Sequence, residues 1–523
     1  FSNVKLYPQS EETLSIESLN DMTFIEPLSP ASVLSYTDNS NVFKSGVQVY
    51  AAPKIIDLGN GQLFMTYIDD AQNRSAENRT TLMYSIYNGT TWSTPEPVLD
   101  DGTADFEAQI QPDVTGGVHI LWQNANTTFS EGVTLEQMSP KMELYYSHWN
   151  GTAMENTTAI TSYNQNLEMT YSVASSGTNV SVVWQENSNN DSLVMSGTNS
   201  IHRRQFIDGN WKNIENIASD LSTINSIETG NINNLNTVVY SAKSNLDEDL
   251  EIFYYDGTQI TKFTNDDVHD YSVDILDGEI YWISESSINC VTNGDISTKQ
   301  TVQTFDGTVT EINVIGNASG DKSIVWTLAD ETKVNFYATD FNSETDSYGI
   351  IRPITTVSGV IRGWDACLTS DGNIELSYCN AEILEEPADD NHYGTLSLIQ
   401  KAEEDFCDIS IISELGCSGN IAPNEELTLT ADIYNRGSIP VSQFLVNVID
   451  ENGSIIQSNS IEKEVEVNGY SNIEFSFTLP ETITRTDYIA PGKKLAAFEI
   501  DPAKCVKCGA CIEKCKPGAI YKK

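Results

Sequence analysis

Apolar and polar residues alternate along this chain in short runs, the period of a strand and not of a helix. One run recurs, a turn followed by an apolar strand that ends on an aromatic: GQLFMTY, GGVHILW, TNVSVVW, LNTVVY, GEIYW, DKSIVW and GNIELSY. Its aromatics are Tyr67, Trp122, Trp184, Tyr240, Trp282, Trp326 and Tyr378, spaced 42 to 62 residues apart. A second run follows most of them and closes on Asn88-Gly89, Asn150-Gly151, Asp208-Gly209, Asp256-Gly257 or Asn293-Gly294. Asn-Gly and Asp-Gly accept positive φ at both central positions, so each pair predicts a two-residue hairpin. Repeats of about 50 residues with four strands each predict a β-propeller, whose blades bury their faces only against neighbours. Seven recurrences predict seven blades, six or eight remaining open on spacing alone, and the stretch before Tyr50 is expected to supply the strand that closes the ring.

The NGTTWS phrase after the first hairpin resembles the loose repeats of sialidase-like and BNR-like propellers. That resemblance implies architecture only. The S-x-D-x-G-x-x-W box does not occur cleanly, and WD and kelch signatures are absent.

Beyond the repeats, strand alternation returns at Leu427, Leu429, Ala431 and Ile433, and again at Ile473, Phe475 and Phe477. Turns are expected at Asn435-Arg436-Gly437, Asn452-Gly453 and Asn468-Gly469. This stretch resembles CARDB-type immunoglobulin-like modules, which implies a small β-sandwich. The expected fold is therefore all-β: a seven-bladed propeller over 1–405, a sandwich over 406–490 that ends early, and a short α+β tail over 491–523.

Charge separates the tail from the rest. The chain of 523 residues carries 28 basic and 75 acidic side chains, a net −47. Residues 491–523 hold eight Lys against Glu499, Asp501 and Glu513, so the acidic excess lies wholly before them. Such a surface repels phosphate backbones and anionic lipid, which excludes nucleic-acid binding by the main body. No apolar run reaches the roughly 20 residues a bilayer span needs. The balance suits an exported protein, with calcium a candidate ligand.

The tail reads CVKCGACIEKCKP, with Cys505, Cys508, Cys511 and Cys515 in the spacing C-x2-C-x2-C-x3-C. Two-residue gaps let successive soft thiolates reach different irons of one cubane. With EIDPAKC before it and PGAI after it, the segment resembles one half of a bacterial-type ferredoxin. The resemblance implies a [4Fe-4S] cluster and a redox partner. It also implies that Cys505, Cys508 and Cys511 serve one cluster while Cys515 serves another.

Other chemistry is thinner. Cys290, Cys367, Cys379, Cys407 and Cys417 are expected mostly as buried small hydrophobes; Cys367–Cys379 and Cys407–Cys417 are candidate disulfides in an exported chain. His119 sits inside an apolar strand and reads as structural. The clusters Asp266-Asp267-Val268-His269-Asp270 and Asp389-Asp390-Asn391-His392 offer oxygen ligands for a cation, but in a chain this acidic solvated loops are the favoured account. A sialidase needs several arginines converging on a carboxylate. Arg74, Arg79, Arg203, Arg204, Arg352 and Arg362 show no such arrangement, and no P-loop, GxSxG or HExxH is present. Trp92, Trp149 and Trp211 follow the hairpins and are candidate ligand contacts, unless they close the hairpins by packing. The expected function is an extracellular or cell-surface binding protein for a carbohydrate or protein ligand, with no catalytic residue identified. The alternatives are an electron-transfer protein, cytoplasmic in an anaerobe, and a propeller glycoside hydrolase.

Overall fold

A computed structural model describes residues 40–162, 170–189, 196–230, 237–244, 249–305, 307–330, 333–343, 346–349, 351–381 and 393–399 of one unit. In the other it describes 409–411, 416–419, 426–435, 440–449, 455–466 and 469–478, with the short segments 4–5, 7–8 and 14–16. The chain divides into Ser35–Glu403 and a unit made of Phe1–Leu34 with Glu404–Lys523.

The larger unit is a β-propeller. Its inner strands are Lys54–Gly59, Asp105–Pro112, Tyr171–Ser176, the C-terminal half of Glu215–Gly230, Asp270–Leu276, Ile312–Gly316 and Val360–Leu368. Each packs against the next, and Val360–Leu368 packs against Lys54–Gly59, so the ring is closed. The last blade is completed by Ser40–Gln48, antiparallel to Tyr393–Ile399. Helix is confined, among the described residues, to the turn Leu135–Met138 and two short 3-10 turns.

The expectation of seven separate blades is corrected. Five sheets stand as separate blades of four or five strands, and a sixth sheet has eight strands. The fusion lies in Glu215–Gly230, a strand of 16 residues whose first half pairs with Asn199–Ile207 and whose second half pairs with Thr237–Ser244. Its sequence ENIASDLSTINSIETG offers no Gly or Pro before its last residue to break it. Asp220, at φ 61°, bends it without ending it. By contrast, Gly359 at φ 97° separates Arg352–Ser358 from Val360–Leu368.

The seven recurring aromatics are all at most 2% exposed. Each lies on the second strand counted outward from the axis, where both faces meet neighbouring sheets. The hairpins divide in two. Asp208-Gly209 and Asn293-Gly294 have positive φ at both residues, as expected of type I′ turns. At the other three pairs only the glycine does, and the Asn or Asp works through its side chain. Asn88 Oδ1 accepts from Thr90 N, Thr91 N and the Thr90 hydroxyl at 3.0, 2.9 and 2.8 Å. Asn150 and Asp256 do the same with the residues that follow them. These are Asx turns.

Cys367 and Cys379, expected as a candidate pair, are both free and buried, as is Cys290. Cys407–Cys417 and the four tail cysteines lie outside the side chains described.

The second unit holds two sheets. One joins Val441–Ile449 and Ile455–Val465 to three short N-terminal strands; the other centres on Glu426–Asn435, paired with Tyr470–Thr478. Leu427, Leu429, Ala431, Ile433, Ile473, Phe475 and Phe477 are all buried on one face, as their alternation predicts.

Candidate functional site

The inner strands of the ring are not hydrogen-bonded to one another through their backbones, so their edge N–H groups need other partners. Side chains supply them. Asp365 accepts from Ile55 N at 2.8 Å, Asp274 from Val314 N at 2.6 Å, and Ser272 from Ile312 N at 3.1 Å. Asn225 and Ser226 accept from Ser272 N and Val273 N, and Ser172 from Thr229 N. Asn313 donates to Asp365 at 2.6 Å, and the Tyr171 hydroxyl donates to the Glu107 carbonyl. Asp105 joins the first two blades, accepting from Leu82 N at 3.0 Å and Trp122 Nε1 at 2.9 Å.

This stitching concentrates charge at the axis. Lys54 feels Asp365, Glu107 and Glu228, on three different inner strands, and Glu311, just before a fourth. Groups from opposite sides of the ring interact only across its centre. Lys54 is 16% exposed and its Nζ lies 4.0 Å from Glu107, which is 56% exposed. Lys54 is thus largely shielded, while Glu107 keeps contact with solvent.

Burial, and then the charge of Asp274, pushes the Glu228 carboxyl well above the usual carboxylate range; Ser172, donating at 2.6 Å, only partly offsets this. Burial raises Asp274 as well, against the N–H groups of Val314 and Ile275. Glu311 and Asp365 are raised by burial, with Lys54 opposing. For Lys54 burial favours the neutral amine, but the surrounding carboxylates, Asp365 foremost, outweigh it and hold the ammonium. At neutral pH the axis therefore presents one cation, several acceptors and carboxyl groups able to keep a proton. Such a set can both donate to and accept from hydroxyl groups.

Sequence reasoning missed this cluster, although a signal was there. Lys54, Glu107, Glu228, Asp274, Glu311 and Asp365 each precede a recurring aromatic by 8 to 15 residues.

The residues singled out from sequence fare unevenly. Trp149 is buried and packs on Phe64 at 5.4 Å; Trp92 packs on Phe43 and Tyr87, and Trp211 on Tyr146 and Phe206. They close hairpins. Arg74, Arg79, Arg203 and Arg352 pair with Asp100, Asp70, Glu215 and Asp340. Arg204 donates to the carbonyls of Ile160 and Lys212, and Arg362 lies over Tyr50. Their partners scatter them over different blades and leave no convergent arginine clamp.

Asp266 and Asp270 do meet, together with Glu251, which sequence reasoning did not single out; one oxygen from each falls within 4.8 Å of the others. Asp270 is fully buried with the Thr264 and Ser284 hydroxyls beside its carboxyl, and Glu251 Oε1 faces Lys262 at 3.1 Å. His269 instead turns to the backbone, accepting from Leu250 N at 3.1 Å. Asp389, Asp390, Asn391 and His392 lie outside the described residues.

Residues 498–521 match the family model of the 4Fe-4S binding domain. No curated protein sequence matches the chain. Among solved structures, the chain is similar to the Hadza microbial sialidase Hz136 at 12% identity, over 68% of this chain and 65% of that one, with a TM-score of 0.39. It thus spans just under two thirds of that protein's length. NanB sialidase from Streptococcus pneumoniae gives 14% identity, 70% and 71% coverage and a TM-score of 0.35. The polysaccharide lyase Uly1 gives 10% identity, 76% and 98% coverage and a TM-score of 0.41. At these values the likeness says nothing of substrate or activity. No helix among the described residues is long and apolar enough to cross a membrane.

Proposed function

We propose that this chain is an extracellular or cell-surface binding protein whose propeller takes a neutral carbohydrate at the axial cluster of Lys54, Glu107, Glu228, Asp274, Glu311 and Asp365. The observation that carries this reading is the chemistry of the axial cluster, one ammonium among carboxyl groups that both accept and donate, with every propeller arginine engaged elsewhere. That distribution disfavours anionic sugars, and a net charge of −47 disfavours polyanions generally. The unit around Glu426–Asn435 serves as a CARDB-like spacer. The convergence of Glu251, Asp266 and Asp270 supports a calcium site there. Glycan binding by the purified chain, neutral against sialylated, tests the main reading.

A second reading rests on the match over 498–521: an electron-transfer role for the tail. The donor set fits the group, since Cys505, Cys508, Cys511 and Cys515 are soft thiolates in the spacing of a ferredoxin half. When bound, a cluster supplies one-electron transfer. The chain's own part is to hold it with three local thiolates, leaving Cys515 for a second half or a second chain. Anaerobic reconstitution should therefore give substoichiometric iron in the monomer, abolished by Cys505→Ser or Cys508→Ser and less affected by Cys515→Ser. Four irons per stable monomer, lost on Cys515→Ser, would overturn that assignment.

A further inference from the structure

The turn Asp113–Gly117 and the ends of the strands Val118–Ala125 and Met142–Trp149 bring together three side chains that the axial site does not use. His119 and His148 are directly opposite in the antiparallel pair, and their rings stack at 4.8 Å. Asp113 Oδ2 lies 2.7 Å from His148 Nε2. One ligand atom from each of Asp113, His119 and His148 falls within 4.8 Å of the others. The observation that points to a ligand is His119 itself. It is 5% exposed, and its Nε2 has no hydrogen-bond partner. A buried ring nitrogen left bare is unfavourable unless something occupies it.

We propose that Asp113, His119 and His148 bind a divalent transition-metal ion, zinc being the best match, in an open three-ligand site. Two imidazoles and a carboxylate form a donor set that favours zinc over the oxygen-seeking calcium and magnesium.

The surroundings are those of a metal site. The other nitrogen of each histidine already faces a polar oxygen. His119 Nδ1 lies 2.7 Å from the Tyr146 hydroxyl, and His148 Nδ1 lies 3.3 Å from Glu155 Oε2. With Nδ1–H donating to these oxygens, Nε2 is the nitrogen each ring offers a metal, on His148 once the proton it donates to Asp113 has left. Asp113 is held in turn by Thr115 N and Gly117 N, at 2.6 and 2.8 Å to Oδ1. These bonds, with His148 Nε2, hold the carboxylate in one orientation.

Gly117 keeps the space open. A Cβ there would stand 2.7 Å from both Asp113 Oδ2 and His148 Nε2 and 2.6 Å from the Trp149 carbonyl. This glycine has no positive φ, so what it provides is room and not conformational freedom. On binding, the proton shared between His148 Nε2 and Asp113 leaves, and each imidazole keeps one on Nδ1.

The test uses full-length protein carrying Cys505→Ser and Cys508→Ser, which weakens competition from the tail thiolates, with cobalt(II) as the spectroscopic probe and zinc as competitor. One equivalent should give ligand-field absorption without sulfur-to-cobalt charge transfer, bleached by zinc. His148→Gln and Asp113→Asn should abolish it. Glu155→Gln, at a half-exposed residue where folding is not at stake, should weaken binding on the order of 10–100-fold. Unchanged binding in all three variants, or no saturable cobalt signal in protein whose thermal transition is intact, would overturn the proposal.

Discussion

Asp105 shows how one residue carries several levels of the structure. It opens an inner strand, is 1% exposed, and accepts from Leu82 N, Trp122 Nε1 and Asn124 Nδ2, so it ties the first blade to the second and fixes a core aromatic. Trp184 occupies the matching place in the next repeat, but its Nε1 is buried without a partner. The two tryptophans look equivalent in sequence because the repeat specifies a large aromatic and not what its N–H meets. The structure separates them. Both Trp122→Phe and Trp184→Phe lose volume, but only the first removes a bond to a buried carboxyl. Trp122→Phe should therefore destabilise by about 1 kcal/mol more than Trp184→Phe. Denaturant midpoints of the two variants, at equal slope, measure the difference.

Turns make the same point for whole elements. All five Asx-Gly pairs predict a reversal, and all five lie at one, but the dipeptide does not specify the turn type. The following residue does. Where Thr comes next, as after Asn88-Gly89, Asn150-Gly151 and Asp256-Gly257, its N–H and hydroxyl bond back to the Asx side chain. Where Asn210 or Asp295 comes next, the type I′ turn forms. Asn293→Gly should accordingly be nearly neutral, since φ at that position is 54° and suits glycine. Asn150→Gly loses the side-chain acceptor and should cost about 0.5–2 kcal/mol, by analogy with a lost helix cap. Equal midpoints for the two variants would contradict the division. Strand periodicity was legible because burial on one or both faces writes it into composition. The fusion of two blades through Glu215–Gly230 was not, because a missing turn signal leaves strand continuity to tertiary pairing.

For the whole molecule, the closed ring forces charged side chains from separate repeats to one axis, a consequence of topology that no local window displays. It has a pH signature. Glu228, Asp274, Glu311 and Asp365 are raised in the folded chain, and burial pushes Asp105 up to about 7. Raised carboxyls bind protons more tightly when folded, so their contribution is full below the ordinary carboxylate range and is lost as pH climbs through their folded values. Asp113 and Asp340 are lowered and act in the opposite sense, but only at acid pH. The thermal midpoint should therefore fall steadily from about pH 5 to about pH 8, and Asp105→Asn should flatten part of the slope. A midpoint that rises over that interval would show that the axial carboxyls are ionised without strain. The binding reading itself is tested most directly by titrating the full chain with neutral and sialylated oligosaccharides, alongside Glu107→Gln and Lys54→Met. Saturable binding of a neutral glycan, weakened at least tenfold in both variants while sialylated glycans bind no better, is the predicted result. Preference for the sialylated glycan, or affinity unchanged in both variants, would contradict it.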